Sequence, residues 1–331
     1  ATFSSYDFMR SMYATGTLGI IPPSQWVTQW ITHAQQSLPH WGRHEHLYSL
    51  YGLSQLYFNN PGLSIDCNKW LSTWYDIARY DIYNFTAQEM SLSLYALAIL
   101  GSCPGTTWMH AWYARSSLLI SSSDAEDLAY QIYGVAIMVH QGVHIDPQWL
   151  RLWYHEATDR CDTFSPSDLA NSILALEYII RDKHARYTLK NANTIAHPLY
   201  TPWIQAWMKT AEKKCEAFTP QALATSLRAI GCIDVHLTQT WINTVWNTLY
   251  DKLYQAHSET LITSVKGMYN FSYYHGIETT HKRQWLQKWL YHIQPWLLYI
   301  NKRDRATLQR YVYALDLHIY AKLQRLLTTQ Q

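Results

Sequence analysis

The chain of 331 residues is poor in residues that form turns, with only 12 glycines and 11 prolines. An all-β fold of many short strands needs more of them, and a hydrophobic content of 48% is too high for a disordered chain. No run of 18 uncharged apolar residues occurs, so we expect no membrane-spanning helix and no membrane partner. The composition therefore predicts an all-α protein.

Cysteine patterns and catalytic motifs are also lacking. The five cysteines are far apart and never form a CxxC pair, which argues against a disulfide framework or a zinc ribbon. The sequence has no GxSxG, no HExxH and no glycine-rich phosphate loop. His44 and His46 point apart on a helix, and Gly142 interrupts His140 and His144, so we expect ordinary surface histidines. We predict no enzyme activity: no catalytic residue, no metal, no cofactor and no small-molecule substrate.

Charge is scarce and nearly balanced. There are 26 lysines and arginines against 24 aspartates and glutamates, a net charge of +2. A protein that holds duplex phosphates electrostatically is usually more basic, so a nucleic-acid function must depend on stacking. Rings are abundant, with 16 Trp and 26 Tyr against 7 Phe. Most of them carry a polar group that suits a half-exposed surface.

A pair of tryptophans four residues apart recurs along the chain. The pairs are Trp26/Trp30, Trp70/Trp74, Trp108/Trp112, Trp149/Trp153, Trp203/Trp207, Trp241 with Val245 and Trp246, and Trp285/Trp289. The first rings are spaced by 44, 38, 41, 54, 38 and 44 residues. Rings at i and i+4 share one helix face, so each pair marks a helix, here called helix A. We expect these rings to pack between repeats.

A second signature lies between the A helices and predicts the start of a helix B. It is clearest in residues 164–170, FSPSDLA, and 218–224, FTPQALA. Ser165 and Thr219 are predicted N-caps, Pro166 and Pro220 take the first helical position, and Asp168 closes a capping box. The same start is predicted at Ser4 with Asp7, Thr86 with Glu89, and Asp124 with Asp127.

Positions in helix B are counted from an anchor, the residue equivalent to Leu169. The fourth position after it is always apolar: Met12, Leu50, Leu94, Ile132, Ile173, Leu227, Val265 and Val312. The sixth is always small: Ala14, Gly52, Ala96, Gly134, Ala175, Ala229, Gly267 and Ala314. The first pattern predicts a core stripe, and the second predicts close approach of another helix.

Helix pairs at a fixed period predict an α-solenoid of about seven helix-turn-helix repeats of 38–44 residues, preceded by an N-terminal half repeat. We expect one repeat domain over residues 1–331, with repeats starting near 22, 66, 104, 146, 199, 237 and 281. The polar stretch 181–199 is predicted to be a loop insertion, and a short tail follows the eighth helix B.

These motifs resemble the octotricopeptide repeat family. Residues 146–150, DPQWL, are similar to the family's start of helix A, and residues 164–171, FSPSDLAN, to its start of helix B. The repeats around Leu261 and Leu308 lack the Phe-Ser-Pro start. The resemblance implies an organellar RNA-binding helical-repeat protein that acts in transcript stability, splicing or translation, or as an added ribosomal component. We expect no RAP-type effector domain after the last repeat, and a start at Ala1 without an Arg-rich leader would suit a processed organellar protein.

The second and fifth positions after the anchor lie opposite the core stripe and carry rings and polar groups. The predicted RNA-binding residues are Arg10, Tyr13, Tyr48, Tyr51, Tyr95, Tyr130, Tyr133, Asn171, Thr225, Arg228, Lys266, Arg310 and Tyr313. Rings and cations that repeat once per helix pair suit stacking of unpaired bases and contact with phosphates. The alternative is that these tyrosines pack between neighbouring B helices.

The predicted partner is single-stranded RNA, specifically organellar ribosomal RNA, in a ribonucleoprotein such as the mitochondrial ribosome. Low charge and the lack of an effector domain favour a structural component that stabilises RNA alongside other proteins. The alternatives are a transcript-specific maturation or translation factor, and a protein-binding scaffold. The predicted location is the mitochondrion, with the chloroplast as the alternative.

Overall fold

The computed structural model describes residues 3–60, 62–63, 66–191, 200–277 and 279–329. Within these ranges the chain forms seventeen α-helices, so the all-α helical-repeat prediction is confirmed. They are α1 (Ser5–Thr17), α2 (Ser24–Ser37), α3 (Arg43–Asn59), α4 (Asn68–Asp81), α5 (Ala87–Ile99), α6 (Thr106–Leu119), α7 (Ala125–His140), α8 (Pro147–Asp159), α9 (Pro166–Arg181), α10 (Lys183–Asn191), α11 (Thr201–Lys213), α12 (Pro220–Ile230), α13 (Gln239–Lys252), α14 (Ser258–Tyr274), α15 (Thr279–Ile293), α16 (Lys302–Leu315) and α17 (Leu317–Thr329).

Fifteen of these helices follow the predicted A and B register. The B helices are α1, α3, α5, α7, α9, α12, α14 and α16, and the A helices are α2, α4, α6, α8, α11, α13 and α15. A 3-10 turn of three residues follows each A helix, and the next B helix begins a few residues later. Each repeat is therefore helix A, a 3-10 turn and helix B.

Two helices lie outside that register. The loop predicted over 181–199 is wrong for Lys183–Asn191, which form α10; residues 192–199 lie outside the described residues. The predicted short tail is also a helix, α17, which packs against α15 and α16 in the position of a further A helix. Its buried residues Ile319, Leu323 and Leu327 are four apart and share one helix face. In this segment leucine and isoleucine replace the tryptophan pair that marks the other A helices.

Contacts between helices divide the described residues into two compact units. The first contains the residues up to Arg160 and 181–191, and the second contains 161–180 and the residues from Tyr200. In the first unit, α1, α3, α5 and α7 pack in order, and α2, α4, α6 and α8 do the same. In the second, α12, α14 and α16 pack in order, as do α11, α13, α15 and α17. Each unit thus has a layer of B helices and a layer of A helices. The single repeat domain stays a prediction.

The predicted starts of the B helices are confirmed. Asp168 Oδ2 accepts a hydrogen bond from the Ser165 amide at 2.8 Å, and the Asp168 amide donates to Ser165 Oγ at 3.2 Å. The same reciprocal box joins Ser4 with Asp7, Thr86 with Glu89, and Asp124 with Asp127. Thr219 caps α12 through the amide of Ala222. Local sequence therefore sets where these helices begin, as capping chemistry predicts.

The core stripe of helix B is confirmed at all eight positions, from Met12 to Val312, because each of these side chains is buried. The predicted close approach is also observed between neighbouring B helices. A Cβ atom added to Gly52 would lie 2.6 Å from the backbone N and Cα of Tyr13 on α1. One added to Gly267 would lie 3.2 Å from the backbone N of Arg228 on α12. Only small residues allow this packing at interior positions, whereas Ala14 and Ala314 are exposed.

The tryptophan pairs pack between repeats, as predicted. The second ring of one A helix contacts the first ring of the next, with centroid distances of 5.3–6.3 Å. These contacts are Trp30–Trp70, Trp74–Trp108, Trp112–Trp149, Trp207–Trp241 and Trp246–Trp285. Trp246 replaces Val245 in the last of them. The rings form the interface between successive A helices within each unit.

The second tryptophan also joins helix A to helix B. In six of the seven A helices its Nε1 donates a hydrogen bond to the carbonyl of the anchor residue in the preceding B helix. The bonds are Trp30 to Phe8 (3.2 Å), Trp74 to His46 (3.2 Å), Trp112 to Met90 (3.0 Å), Trp153 to Leu128 (2.9 Å), Trp207 to Leu169 (2.9 Å) and Trp289 to Leu261 (2.8 Å). In α13 the equivalent position is Val245, whose side chain has no N–H to donate.

A basic residue at the end of an A helix caps the 3-10 turn of the preceding repeat. Lys214 Nζ donates to the carbonyls of Asp162 and Phe164 at 2.7 and 2.6 Å. Lys252 makes the same pair of bonds with Glu216 and Phe218, and Arg160 does so with Ser121 and Ser123. Each of these residues follows the first tryptophan of its helix by eleven positions. These three cations therefore hold repeats together and are engaged by backbone carbonyls.

The indole hydrogen bond can be tested with two tryptophans of the same helix. Trp112 and Trp108 are both buried in α6, but Trp108 Nε1 has no partner in the described part of the chain. Both Trp→Phe substitutions remove the same volume, so we expect Trp112→Phe to lower the free energy of unfolding by about 1 kcal/mol more than Trp108→Phe. Urea denaturation measures both, and equal losses would contradict a stabilising role for the bond.

The close approach of α1 and α3 predicts the effect of Gly52→Ala. Alanine favours helix, but its Cβ would overlap the Tyr13 backbone, so we expect a loss of about 1–3 kcal/mol in the free energy of unfolding. Gly105 is the control, because no atom lies within 4 Å of its added Cβ and its φ is −59°. Gly105 is the N-cap of α6, where alanine is less favourable than glycine, so Gly105→Ala should cost at most about 1 kcal/mol. A Gly52→Ala protein as stable as the parent would show that the helices can separate at little cost.

Candidate nucleic-acid interface

Six of the predicted tyrosines form a continuous line of rings on the first unit. Tyr13 on α1 lies 5.6 Å from Tyr48 and 6.1 Å from Tyr51 on α3, measured between ring centroids. Tyr51 lies 6.5 Å from Tyr95 on α5. Tyr95 in turn stacks on Tyr130 of α7 at 4.2 Å and lies 5.8 Å from Tyr133. We call these six residues the tyrosine ladder; it crosses four successive B helices.

The tyrosine ladder is only partly covered. Tyr13 is exposed and the other five rings are half-buried. Burial raises the pKa of Tyr48, Tyr51, Tyr95 and Tyr130 above the ordinary value of 10.0, so these phenols are neutral at physiological pH. Half-buried neutral rings keep a face or edge and a hydroxyl group for a ligand. The same tyrosines therefore pack between neighbouring B helices and still expose part of their surface.

Polar residues border the tyrosine ladder. His44 lies 4.4 Å from Tyr48 between ring centroids, and the Arg10 guanidinium lies over the Tyr6 ring at 5.4 Å. Glu126 adds one carboxylate beside Tyr130 and raises its pKa further. The second position of α5 is Leu92, which is buried. The surface is thus aromatic and close to neutral, with one cation at the α1 end.

The predicted residues of the second unit form a different surface. Asn171, Thr225 and Lys266 are half-buried, while Arg310 and Tyr313 are exposed. Tyr313 contacts Tyr320 of α17 at 5.2 Å rather than another B-helix ring. No ring line joins these residues in the described part of this unit. The sequence register is the same as in the first unit, but polar and cationic side chains occupy it.

Arg228 is held in an ion pair. Its guanidinium nitrogens lie 3.1 and 3.0 Å from the two carboxylate oxygens of Glu177, whose side chain is 1% exposed. A buried carboxylate without such a partner costs several kcal/mol, so the pair fixes α9 against α12. Its guanidinium fork is therefore engaged by the protein. The sequence contains a signal for this ion pair, because α9 has Glu177 at the eighth position after the anchor. In five other repeats this position is small: Gly16, Ser54, Ala98, Ala136 and Gly231.

The histidines depart from expectation at one position. His46 is buried, so its prediction as a surface histidine is wrong. Its Nε2 donates to the Leu38 carbonyl at 2.7 Å, and His46 is itself the anchor of α3. His140 ends α7, and Gly142 takes a φ of +93°, which confirms the predicted helix end. In the described ranges, no three His, Cys, Asp or Glu side chains are grouped to hold a metal ion.

Comparison with known proteins adds no relative: no protein-family model matches this chain, and a search of curated proteins finds no match. The octotricopeptide resemblance therefore stays a prediction from the motifs. Each helix in the described part of the chain is too short or too polar to span a bilayer.

His46 predicts how stability depends on pH. Burial lowers its pKa below the ordinary value of 6.5, so below that pH the unfolded chain binds a proton that the folded chain does not. Unfolding therefore becomes easier as the pH falls from 7.5 through 6.5 towards the folded-state pKa. We expect His46→Gln to flatten this part of the profile in urea denaturation. As a control, His44→Gln alters an exposed residue and should keep the parent slope, and the same slope in all three proteins would contradict the prediction.

Proposed function

We propose that this protein binds single-stranded RNA without catalysis, through the exposed face of its B helices. The observation that carries the proposal is the tyrosine ladder of the first unit, with ring contacts from α1 to α7. Every base has a flat π face, so a line of rings accepts an unpaired strand of almost any sequence. A duplex hides these faces, which makes single strands the better ligand.

The charge of the protein fits this mode of binding. With a net charge of +2, electrostatic attraction to phosphates is weak over the molecule as a whole. Stacking contributes about 1–3 kcal/mol per base and needs no net positive charge on the protein. Three of the basic residues, Arg160, Lys214 and Lys252, are engaged by backbone carbonyls. Affinity on the first unit should therefore come mainly from ring contacts.

The proposed setting is an organelle, specifically a mitochondrial ribonucleoprotein such as the ribosome, where the protein stabilises ribosomal RNA alongside other proteins. The motif resemblance to octotricopeptide repeats supports this setting, and a chloroplast location is the alternative. A near-neutral surface suits a component held by many partners better than a free factor that must find one transcript. A transcript-specific maturation or translation factor remains the alternative within RNA binding.

A protein-binding scaffold is the second candidate, and one groove favours it. The groove has a volume of about 620 Å³ and lies between α1 and α2, with Phe3, Phe8, Trp26 and Trp30 in its walls. Trp26 is half-exposed there, whereas the first tryptophan of every other A helix is buried. An amphipathic helix of a partner protein is the kind of ligand that such an apolar groove accepts.

Crosslinking separates the two candidates. The intact protein is crosslinked by ultraviolet light in organelle extract and purified under denaturing conditions, and the attached RNA is sequenced. We expect defined segments of organellar RNA well above the background of a mock purification. Recovery of proteins with no RNA above that background would reject RNA binding in favour of the scaffold.

The tyrosine ladder makes a sharper prediction for purified protein and a random-sequence single-stranded RNA pool. Tyr95→Leu with Tyr133→Leu keeps apolar packing but removes two rings, so affinity should fall roughly 5- to 150-fold for each base that loses its stacking partner. The control is Tyr80→Leu with Tyr83→Leu. These two rings lie outside the ladder and are more exposed than Tyr95 and Tyr133. Fluorescence anisotropy measures all three proteins, and equal affinities would show that the ladder is not the binding surface.

A further inference from the structure

The basic residues are concentrated at one end of the sequence. Residues 279–331 contain nine lysines and arginines but only two acidic residues, a net charge of +7, while the rest of the chain has a net charge of −5. The overall value of +2 hides this separation. The region contains α15, α16 and α17 of the second unit. A local excess of this size attracts a polyanion even when the whole protein is nearly neutral.

The two acidic residues of this region are engaged inside it. Asp316 pairs with Arg283 at 2.9 Å and accepts hydrogen bonds from the amides of His318 and Ile319 at the start of α17. Asp304 closes the start of α16, where its carboxylate Oδ2 accepts a hydrogen bond from Asn301 Nδ2 at 2.8 Å. Neither carboxylate lies within ion-pair distance of Lys302, Arg303 or Arg310 in the described residues, and all three cations are exposed.

These cations continue the predicted binding face. Arg303 and Arg310 are seven residues apart on α16, so they share one side of the helix, and Arg310 is the second residue after the anchor Leu308. On the neighbouring helix α14, Lys266 occupies the fifth position. Burial and the adjacent Arg228 guanidinium lower the pKa of Lys266. Cations thus converge on one face of α14 and α16.

A groove of about 330 Å³ lies on this face between α14 and α16. Its polar walls are Ser258, Glu259, Thr263, Lys266, Asn301 and Asp304, and beside them lies the ring of Tyr299, which is 81% exposed. The two carboxylates repel a phosphate, so the groove itself suits a base. Its carboxylate, hydroxyl, amide and ammonium groups can hydrogen-bond the edge of a base, and the ring offers a stacking surface. A lipid surface would require a flat basic face, whereas a polar groove beside a ring matches a nucleotide.

We propose that this groove binds one nucleotide of a single-stranded RNA, with its base against Tyr299 and the adjoining phosphates held by Lys302, Arg303 and Arg310. The proposal rests on the RNA-binding function and adds a second contact site, on the second unit. The two units then use different physics: the first binds mainly by stacking and the second mainly by charge. Binding at the second site consequently weakens as salt rises, because phosphate contacts release counterions.

The test compares two triple variants of the full chain with a random-sequence single-stranded RNA pool. Lys302→Gln, Arg303→Gln and Arg310→Gln remove the proposed phosphate contacts; Lys69→Gln, Lys209→Gln and Lys213→Gln remove the same charge from exposed sites on A helices. We expect the first variant to reduce the slope of log K against log salt by about 2, at about 0.7 per lost contact, and the control to keep the parent slope.

Tyr299 supplies a second measurement. Tyr299→Leu should lower affinity roughly 5- to 150-fold, the loss expected for one stacked base. Tyr291→Leu should not, although Tyr291 on α15 is also well exposed, at 73%. Circular dichroism confirms that each variant is folded.

Three results would overturn the proposal. The two triple variants could lose the same slope, which would assign the effect to net charge. The first triple could keep the parent slope. The variant with Lys302→Gln, Arg303→Gln and Arg310→Gln could bind phosphatidylserine vesicles more weakly than the parent but RNA equally well, which would assign the surface to a membrane. If the parent protein binds no RNA, the proposed function itself fails, so the two failures are distinguishable.

Discussion

The hydrogen bond from the second indole of helix A to the anchor carbonyl of helix B is the contact on which the repeat depends. It fixes the position of helix A along helix B, because in six repeats one indole Nε1 donates to one backbone carbonyl, at distances of 2.8–3.2 Å. The same ring contacts the first ring of the next A helix, so one side chain orients helix A against both neighbours. With helix A held in this way, the small sixth position brings successive B helices into backbone contact, as at Gly52 and Tyr13. The exposed side of the B layer follows from this geometry.

That exposed side gives the two units different chemistry on one scaffold. In the first unit it carries rings that touch from α1 to α7, and in the second it carries Lys266, Arg303 and Arg310. The scaffold tolerates the exchange because positions opposite the core stripe contribute little to packing between layers. A protein that stacks bases at one site and holds phosphates at another can bind an extended strand tightly while its net charge stays near zero.

Four basic residues, of which only Arg228 was predicted to contact RNA, have structural partners inside the protein. Lys214, Lys252 and Arg160 cap 3-10 turns, and Arg228 neutralises the buried Glu177. A count of lysines and arginines therefore includes cations that a ligand cannot use, because backbone carbonyls or Glu177 already engage them. The net charge of the whole chain, in turn, conceals the excess of cations in residues 279–331. The cations that remain exposed on the B face are the ones from which a phosphate site can be built.

The helical class, the alternation of A and B helices, the starts of the B helices and the core stripe could all be predicted from the sequence. These features depend on local chemistry: capping boxes, proline at the first helical position, and apolar or small residues at helical spacing. It did not reveal α10 or α17, whose segments lack the tryptophan pair and the Phe-Ser-Pro start; each is capped only by a single aspartate, Asp182 or Asp316. Three features became visible only in the folded protein: the stacking of Tyr95 on Tyr130, the ion pair of Arg228 with Glu177, and the groove beside Tyr299. Each of these contacts joins residues 35 or more positions apart, or depends on how two helices pack, and such distances are set by packing rather than by local sequence.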